Sequence, residues 1–399
     1  MSDYDVVTVG GGLGGAALAK VLAEAGRRVL VLERTSQFKD RVRGEVLVPW
    51  GRVEAQKLGL EDLLATAANE MRYWEFYFDG SLALRRDVVT QGPLGRSMFC
   101  FYHPRAQDLV LDAAREAGAE IRRGVTVKAV EAGARPAVMV DGSGGAERIE
   151  ARLVVGVDGR ESAVRKWCGF EEKRAKPRRY FGGVLFEDLP APVDVLASRF
   201  SPSRGLMSWI FPQGGGRVRA YIGSHLQGDI GRLQGSRDIE RFKEISTDLG
   251  VPREWFANAK VAGPLATFDP TDNWIDHPYE SGVALIGDAA ATSDPTWGQG
   301  MSMTFFDVRS LAEKLLAGDD WDAAGHAYAA EHDACWQTIR VTDTWYTDLF
   351  LEMGAEADAA RMRALPLILA DPTRVPDSAV SGPECPADET ARQRFFGEV

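Results

Sequence analysis

Apolar runs that end at glycine or an acid, each followed by a helical period, set the rhythm of this chain. An apolar strand over 6–9, a glycine-rich turn, a helix and a second strand ending at Glu33 open it. A buried strand beginning at Ala151 leads into Asp158-Gly159 and a helix carrying Ser162 and Arg165. A third strand over 283–286 stops at Asp288, crosses a loop containing Pro295, and enters a helix opened by Gly298 and Gly300.

Between these segments the period changes. Residues 73–86 alternate around Asp79-Gly80, a strong hairpin signal. The stretch 102–131 reads as helix and strand, and 41–64 as a loop ending in a helix. Residues 180–187, 205–211 and 217–225 read as successive strands, with Gly214, Gly215 and Gly216 as the tight connection of the last two. Met207, Trp209 and Phe211 share one face by alternation, as do Arg219, Tyr221 and Gly223. Such a face walls an apolar pocket or packs on helices, and packing is the commoner use. Helical patterns return over 308–316 and 321–350. The proline-rich stretch 366–399 reads as an extended strap.

The glycines carry chemistry. Gly10, Gly12 and Gly15 fit G-x-G-x-x-G between strand and helix, and an acid, Glu33, ends the next strand. That order permits a tight turn, close approach of pyrophosphate to backbone, and a carboxylate on ribose hydroxyls. Gly298 and Gly300 leave N–H groups uncovered at a second helix start, a ready anion site. Asp288 is itself an anion and suits sugar-like hydroxyls. Together the segments suit a polyhydroxy phosphate such as a dinucleotide.

Length and charge narrow the class. A chain of 399 residues favours two domains. A net charge of −11 with no basic block argues against nucleic acid and anionic membranes. No run of about 20 apolar residues is present to span a bilayer. The fingerprint strand begins at once, leaving no room for a cleaved leader, so the cytoplasm is the expected location. Cys100, Cys168, Cys335 and Cys385 are scattered without metal spacing and read as reduced thiols, and no metal is expected. There is no H-E-x-x-H, no Walker lysine motif and no Ser-His-Asp order. The hard chemistry therefore belongs to a cofactor.

The three glycine-acid segments, at 10–15, 158–165 and 287–300, resemble the single-component flavoprotein monooxygenases of the para-hydroxybenzoate hydroxylase type. The resemblance covers roughly residues 1 to 340 and implies non-covalent FAD. The implied fold is α/β: a Rossmann-like FAD-binding domain of the glutathione-reductase type, with an inserted, mostly antiparallel substrate sheet and C-terminal helices. The FAD domain is expected over 1–72, 98–176 and 266–330, the substrate domain over 73–97 and 177–265, and helices with the strap over 331–399. The chain ends before any further thioredoxin-like domain of the kind some larger relatives carry.

The resemblance also implies a binding set. Gly10, Gly12, Leu13, Gly14 and Gly15 serve the pyrophosphate, and Glu33 and Arg34 the adenosine end. Arg43, Arg105 and Val127 stand near the cofactor. Asp158, Gly159, Gly287 and Asp288, with Pro295, Gly298, Gly300 and Met301, complete the flavin side. Pro295 is expected against the flavin ring, with Trp297 bordering the substrate or only anchoring the loop. Trp209 and Tyr221 are further substrate candidates. His103, beside Pro104, is a weaker candidate for a base than for a satisfied loop residue. The sequence departs from the family in having Ala291 for a His and Ser302 for an Asn, which leaves phosphate and ribose partners intact.

The implied reaction uses NAD(P)H and O₂ to hydroxylate or epoxidise an organic, aromatic or polyketide-like molecule through a flavin hydroperoxide. An FAD-dependent reductase of the geranylgeranyl-reductase-like branch is the alternative, given some credit by the R-G-E segment at 43–45. A flavin halogenase is disfavoured by the lack of a W-x-W-x-I-P stretch, and a non-catalytic FAD sensor is the remaining reading.

Overall fold

The computed structural model describes residues 3–42, 44–142, 145–228 and 230–399. Its first sheet is built on Tyr4–Val9, which pairs in parallel with Gly145–Gly156 on one side and Val29–Glu33 on the other. Glu120–Arg123 and Val283–Leu285 extend the sheet in parallel at either side, and Tyr279–Glu280 closes one edge antiparallel. The central strands are mainly apolar, and fully buried over 6–9, 29–33 and 153–156, because both faces of the sheet are covered there. Val6, Val29, Val31, Leu153 and Val155 face a core built with the helices Leu13–Glu24, His103–Glu116 and Gly300–Ala317. Val7, Leu30, Leu32 and Val154 face the meander Val127–Glu131, Ala137–Gly142 and the start of Gly145–Gly156.

The second large sheet runs Lys260–Val261, Arg179–Glu187, Arg217–His225, Leu206–Gly214, Val195–Ser201, Tyr73–Phe78, Ser81–Asp87. It is antiparallel except where Val195–Ser201 lies parallel to Tyr73–Phe78. The hairpin at its edge turns on Asp79 (φ 45°) and Gly80 (φ 81°), two consecutive positive φ angles that an Asp-Gly pair supplies at low cost. One face packs on the helix Ile239–Asp248. The other, with Phe181, Met207, Trp209, Phe211 and Tyr221, faces Trp297 and the C-terminal helices.

Two expectations are corrected. The substrate sheet runs past residue 265, because Ala266–Phe268 still pairs with Arg179–Glu187. The long C-terminal helix Trp321–Phe350 coincides with the helical pattern over 321–350. The strap over 366–399 is helical rather than extended: Ala355–Ala370 runs through Pro366, and Ser378–Ser381 and Glu389–Phe395 are short helices. Ala357, Arg361 and Ala364 recur at helical spacing on the buried side while Pro366 stays on the exposed side. Val380, Phe395 and Phe396 anchor the remainder in the same core as Tyr346 and Leu349, which outweighs the prolines.

Candidate functional site

The fingerprint turn is glycine for reasons of space. Gly10 has φ 115°, and a Cβ there would lie 2.4 Å from the Val157 carbonyl oxygen. At Gly15 a Cβ would meet the Gly10 carbonyl oxygen at 2.1 Å, and at Gly14 the Thr304 methyl at 2.8 Å. The helix can therefore lie close on both strand and neighbouring helix. Its first intrahelical bond is Ala16 N–H to the Gly12 carbonyl, so Leu13, Gly14 and Gly15 bring uncovered donors, with no acidic side chain in the first turn. This helix start lies at the carboxyl ends of parallel strands, where such folds take phosphate.

Glu33 is buried beside that turn. Its carboxylate accepts from Gly11 N–H at 2.8 Å and from the Thr35 N–H and hydroxyl at 2.8 and 2.6 Å. A carboxylate offers about four lone-pair sites, so acceptor capacity remains for ribose hydroxyls.

Asp158 is partly buried, and its carboxylate accepts from Ala163 N–H at 2.7 Å and Val164 N–H at 3.2 Å. It thereby holds the start of the short Ala163–Trp167 helix. Gly159 takes φ 86° in the turn between them. Arg165, 2% exposed, ties this segment to the late motif by donating to the Ala289 carbonyl at 3.3 Å.

The late motif is anchored from below. Gly287 (φ 58°) donates its N–H to Asp307 at 2.8 Å, and the other Asp307 oxygen lies 2.8 Å from His332 Nδ1. Burial works against charge on His332, yet the adjacent Asp307 carboxylate outweighs it and raises the imidazole's pKa. Tyr328 donates to the Leu285 carbonyl at 2.6 Å. Asp288 is thus presented, partly buried, on a turn whose backbone is fixed.

Beyond it, the Asp294 carboxylate accepts from Thr296 N–H at 2.9 Å and starts the turn Pro295–Trp297. Gly298 (φ 72°) then packs on the strand Val46–Leu47: a Cβ there would meet Val46 Cγ1 at 2.8 Å. The helix Gly300–Ala317 begins with no acid in its first turn, and Met301 is buried. Ser302 in place of Asn has a packing reason, since a Cβ on Gly51 would lie 2.1 Å from its hydroxyl. Ala291 is buried opposite Trp274 in a short strand pair.

The facing wall is aromatic. Phe181 lies 5.1 Å from Trp209 and 4.9 Å from Tyr221 between ring centres. Trp297 is 4% exposed and sits edge-on to Tyr346 at 5.0 Å, with Phe200 and Phe350 about it. It therefore anchors the loop and also joins the wall. The indole N–H of Trp209 is buried with no hydrogen-bond partner among the described residues.

Polar groups missed in the sequence are buried here. Tyr221 donates to Glu45 at 2.6 Å, and Arg219 reaches the other Glu45 oxygen at 3.2 Å. Gln299 accepts from the Trp50 indole at 2.9 Å and neighbours Asp343, whose carboxyl is pushed far up by burial and by Asp272. The alternation of Arg219 and Tyr221 placed them on the inner face, but their partner lies about 175 residues upstream, a pairing no local pattern carries.

Other candidates lie at the margin. Arg34 and Arg105 are exposed, and Val127 is partly buried in the meander. Arg43 falls outside the described residues. The His103 Nδ1 lies 2.8 Å from the Gly44 carbonyl, so this ring secures a loop. The four cysteines are free. Burial pushes the thiols of Cys100 and Cys335 up, which keeps them neutral.

The three motifs thus meet at the carboxyl ends of three neighbouring parallel strands, and Trp297 of the late motif joins the aromatic cluster. A family model described as an FAD binding domain matches residues 3–335. The chain belongs to this FAD-binding family. It is an FAD-dependent oxidoreductase, as the resemblance to the para-hydroxybenzoate hydroxylase type implied, and uncovered helix-start donors beside a buried carboxylate fit that cofactor.

Among curated proteins it is 27% identical over 344 residues to the digeranylgeranylglycerophospholipid reductase of Methanocella arvoryzae, covering 83% of each. Squalene epoxidase 3 of Arabidopsis thaliana is 29% identical over 326 residues, 79% of this chain and 60% of that protein. Among solved structures, p-nitrophenol 4-monooxygenase PnpA of Pseudomonas putida DLL-E4 superposes with a TM-score of 0.77 at 20% identity, covering 95% of this chain and 98% of that one. That likeness establishes the shared fold. No described helix is long and apolar enough to cross a membrane.

Proposed function

We propose that this flavoenzyme is a monooxygenase that uses NAD(P)H and O₂ to hydroxylate or epoxidise an aromatic or polyketide-like small molecule. The observation that carries this reading is the buried aromatic cluster of Phe181, Met207, Trp209 and Tyr221, which shares one core with Trp297 of the Pro295–Trp297 turn. FAD, when bound, supplies the redox chemistry, accepting two electrons from NAD(P)H and passing them to O₂.

The chain's own residues bind, orient and shield. Gly10, Gly12, Leu13, Gly14 and Gly15 hold the pyrophosphate through backbone N–H groups, and Glu33 and Arg34 hold the adenosine end. Arg43, Arg105 and Val127 border the cofactor. Asp158, Gly159, Gly287 and Asp288 border the ribityl and pyrophosphate region, with Asp288 accepting from ribityl hydroxyls. Gly298, Gly300 and Met301 present donors at the second helix start, and Pro295 lies against the ring. Trp297, Trp209 and Tyr221 line the substrate space, with the Trp209 indole N–H positioned to donate to a substrate oxygen. A dry, aromatic enclosure favours productive oxygen insertion over loss as H₂O₂.

A reductase that acts without oxygen insertion is the second reading, supported by the similarity to digeranylgeranylglycerophospholipid reductases and by Gly44-Glu45. Screening phenolic, polyketide-like and isoprenoid compounds for stimulated NAD(P)H oxidation, with and without O₂, separates the two. The first reading expects oxygen-dependent turnover on an aromatic compound. Equal turnover without oxygen selects the second.

A further inference from the structure

Asp40 and Glu45 are both held to the substrate sheet by one buried cluster. Arg219, 1% exposed, donates through Nη2 to Asp40 at 2.5 Å and through Nε to Glu45 Oε1 at 3.2 Å. Tyr221 donates to Glu45 Oε2 at 2.6 Å. One guanidinium is thus divided between two carboxylates, and only Glu45 of the two is buried on all sides. Val42 and Gly44 take positive φ (54° and 79°), the Glu45 carbonyl accepts from Phe101 N–H at 2.8 Å, and the His103 ring packs on Gly44.

The strand that follows reaches the flavin-proximal turn. The residue after Glu45 is Val46, whose Cγ1 stands where a side chain on Gly298 would begin, and Val48 backs it. Glu45 is therefore fixed one residue from the strand that abuts the Pro295–Gly298 loop. We propose that Glu45 is a redox-linked proton acceptor: it takes up one proton from solvent when two electrons enter the FAD bound beside this strand. The inference rests on FAD occupying the slot, and holds for either reading of the reaction.

Tyr221 makes the exchange feasible in a dry site. With Glu45 ionised, the phenol donates to Oε2. With Glu45 protonated, the carboxyl donates to the phenol oxygen, whose own hydrogen turns away. Neither form strands the carboxyl without a partner. The titratable and charged groups around Glu45 are Asp40, Arg219, Tyr221 and Cys100, with His103 packed on the preceding Gly44. Burial raises the Glu45 carboxyl, while Arg219 and the Tyr221 hydroxyl oppose the rise. Tyr221 and Cys100 are pushed up by burial and stay neutral, so added negative charge in the slot falls on Glu45. Balance is kept: two electrons go to the cofactor, and one further proton goes from water to a Glu45 oxygen.

The test is the midpoint potential of bound FAD from about pH 5 to about pH 9, after the FAD content of each protein has been read. Over the interval in which Glu45 changes charge with redox state, the wild-type line should fall more steeply than that of Glu45→Gln. The excess is about 30 mV per pH unit, a tenfold change per unit for a two-electron couple. A pH-indicator dye should count one more proton per FAD reduced in the wild type within that interval. Tyr221→Phe loses a donor to the ionised carboxylate, so its steep interval should move to higher pH. It serves as the second variant if Glu45→Gln does not fold. Parallel wild-type and Glu45→Gln lines, or loss of the steep interval in His103→Asn, would overturn the proposal. Wild-type protein that binds no FAD would instead overturn the placement of the cofactor.

Discussion

Asp307 supports the late motif through two bonds, and its removal is the sharpest test of how that motif is held. Its carboxylate accepts from Gly287 N–H and meets His332 Nδ1, each at 2.8 Å, with the His332 and Asp307 side chains 1% and 2% exposed. Asp307→Ala leaves a buried N–H and a buried imidazole without that partner. Breaking one side of such a pair costs about 3–5 kcal/mol. Asp307→Asn keeps one acceptor oxygen and should lose roughly half as much, within the range of one charged hydrogen bond. Urea unfolding of FAD-free and FAD-saturated protein measures this, since ligand adds its own stabilisation. The raised His332 pKa gives a second readout. Its contribution is full below about pH 6.5 and is lost as pH rises through the folded value. In Asp307→Ala burial is left to lower the imidazole's pKa, so that pH dependence should reverse in sign, and FAD affinity should fall as the Gly287 turn loosens. An Asp307→Ala protein within about 1 kcal/mol of wild type, with unchanged FAD affinity, would refute the reasoning.

Asp288→Ala should weaken FAD binding roughly ten- to hundredfold, from the loss of about 1.5–3 kcal/mol in charged hydrogen bonding, as read by flavin fluorescence. Trp297→Ala should raise the share of NAD(P)H lost as H₂O₂ while FAD stays bound; Trp297→Phe, which keeps a ring against Tyr346, should raise it less. An unchanged H₂O₂ share in the alanine variant would leave Trp297 a loop anchor alone. Burial and the Asp294 carboxylate push Asp272 up to about 6, so its contribution is full below about pH 4 and is lost as pH rises through about 6. Asp272→Asn should therefore gain stability over wild type by up to about 3 kcal/mol more at pH 8 than at pH 4, measured by thermal unfolding.

The cofactor half of the fold was legible because its constraints are local. Gly10 and Gly15 stand where a Cβ would strike a carbonyl oxygen, and strand, turn, helix and acid follow within one short segment. The inner face of the substrate sheet was legible from alternation, since Met207, Trp209, Phe211, Arg219 and Tyr221 do share it. What alternation lacks is the partner across the fold. Glu45 for Tyr221, Asp307 for Gly287 and Gln299 for Trp50 are chosen by tertiary packing over long separations. The strand Val195–Ser201 was missed because Ser198 and Arg199, both buried, interrupt its apolar run. The prolines over 366–386 point to an extended strap, but the buried face of Ala357, Arg361 and Ala364 at helical spacing carries the helix through Pro366.

The measurement that bears most directly on the central claim is the fate of isotopic oxygen. The purified protein, yellow with non-covalent FAD, is supplied with NAD(P)H, ¹⁸O₂ and the aromatic compound that most stimulates NAD(P)H consumption, with no partner reductase. Oxygen insertion predicts one ¹⁸O atom in each product molecule and product approaching one per NAD(P)H. Label drawn from H₂¹⁸O instead, or product formed equally well without oxygen, would contradict the monooxygenase assignment.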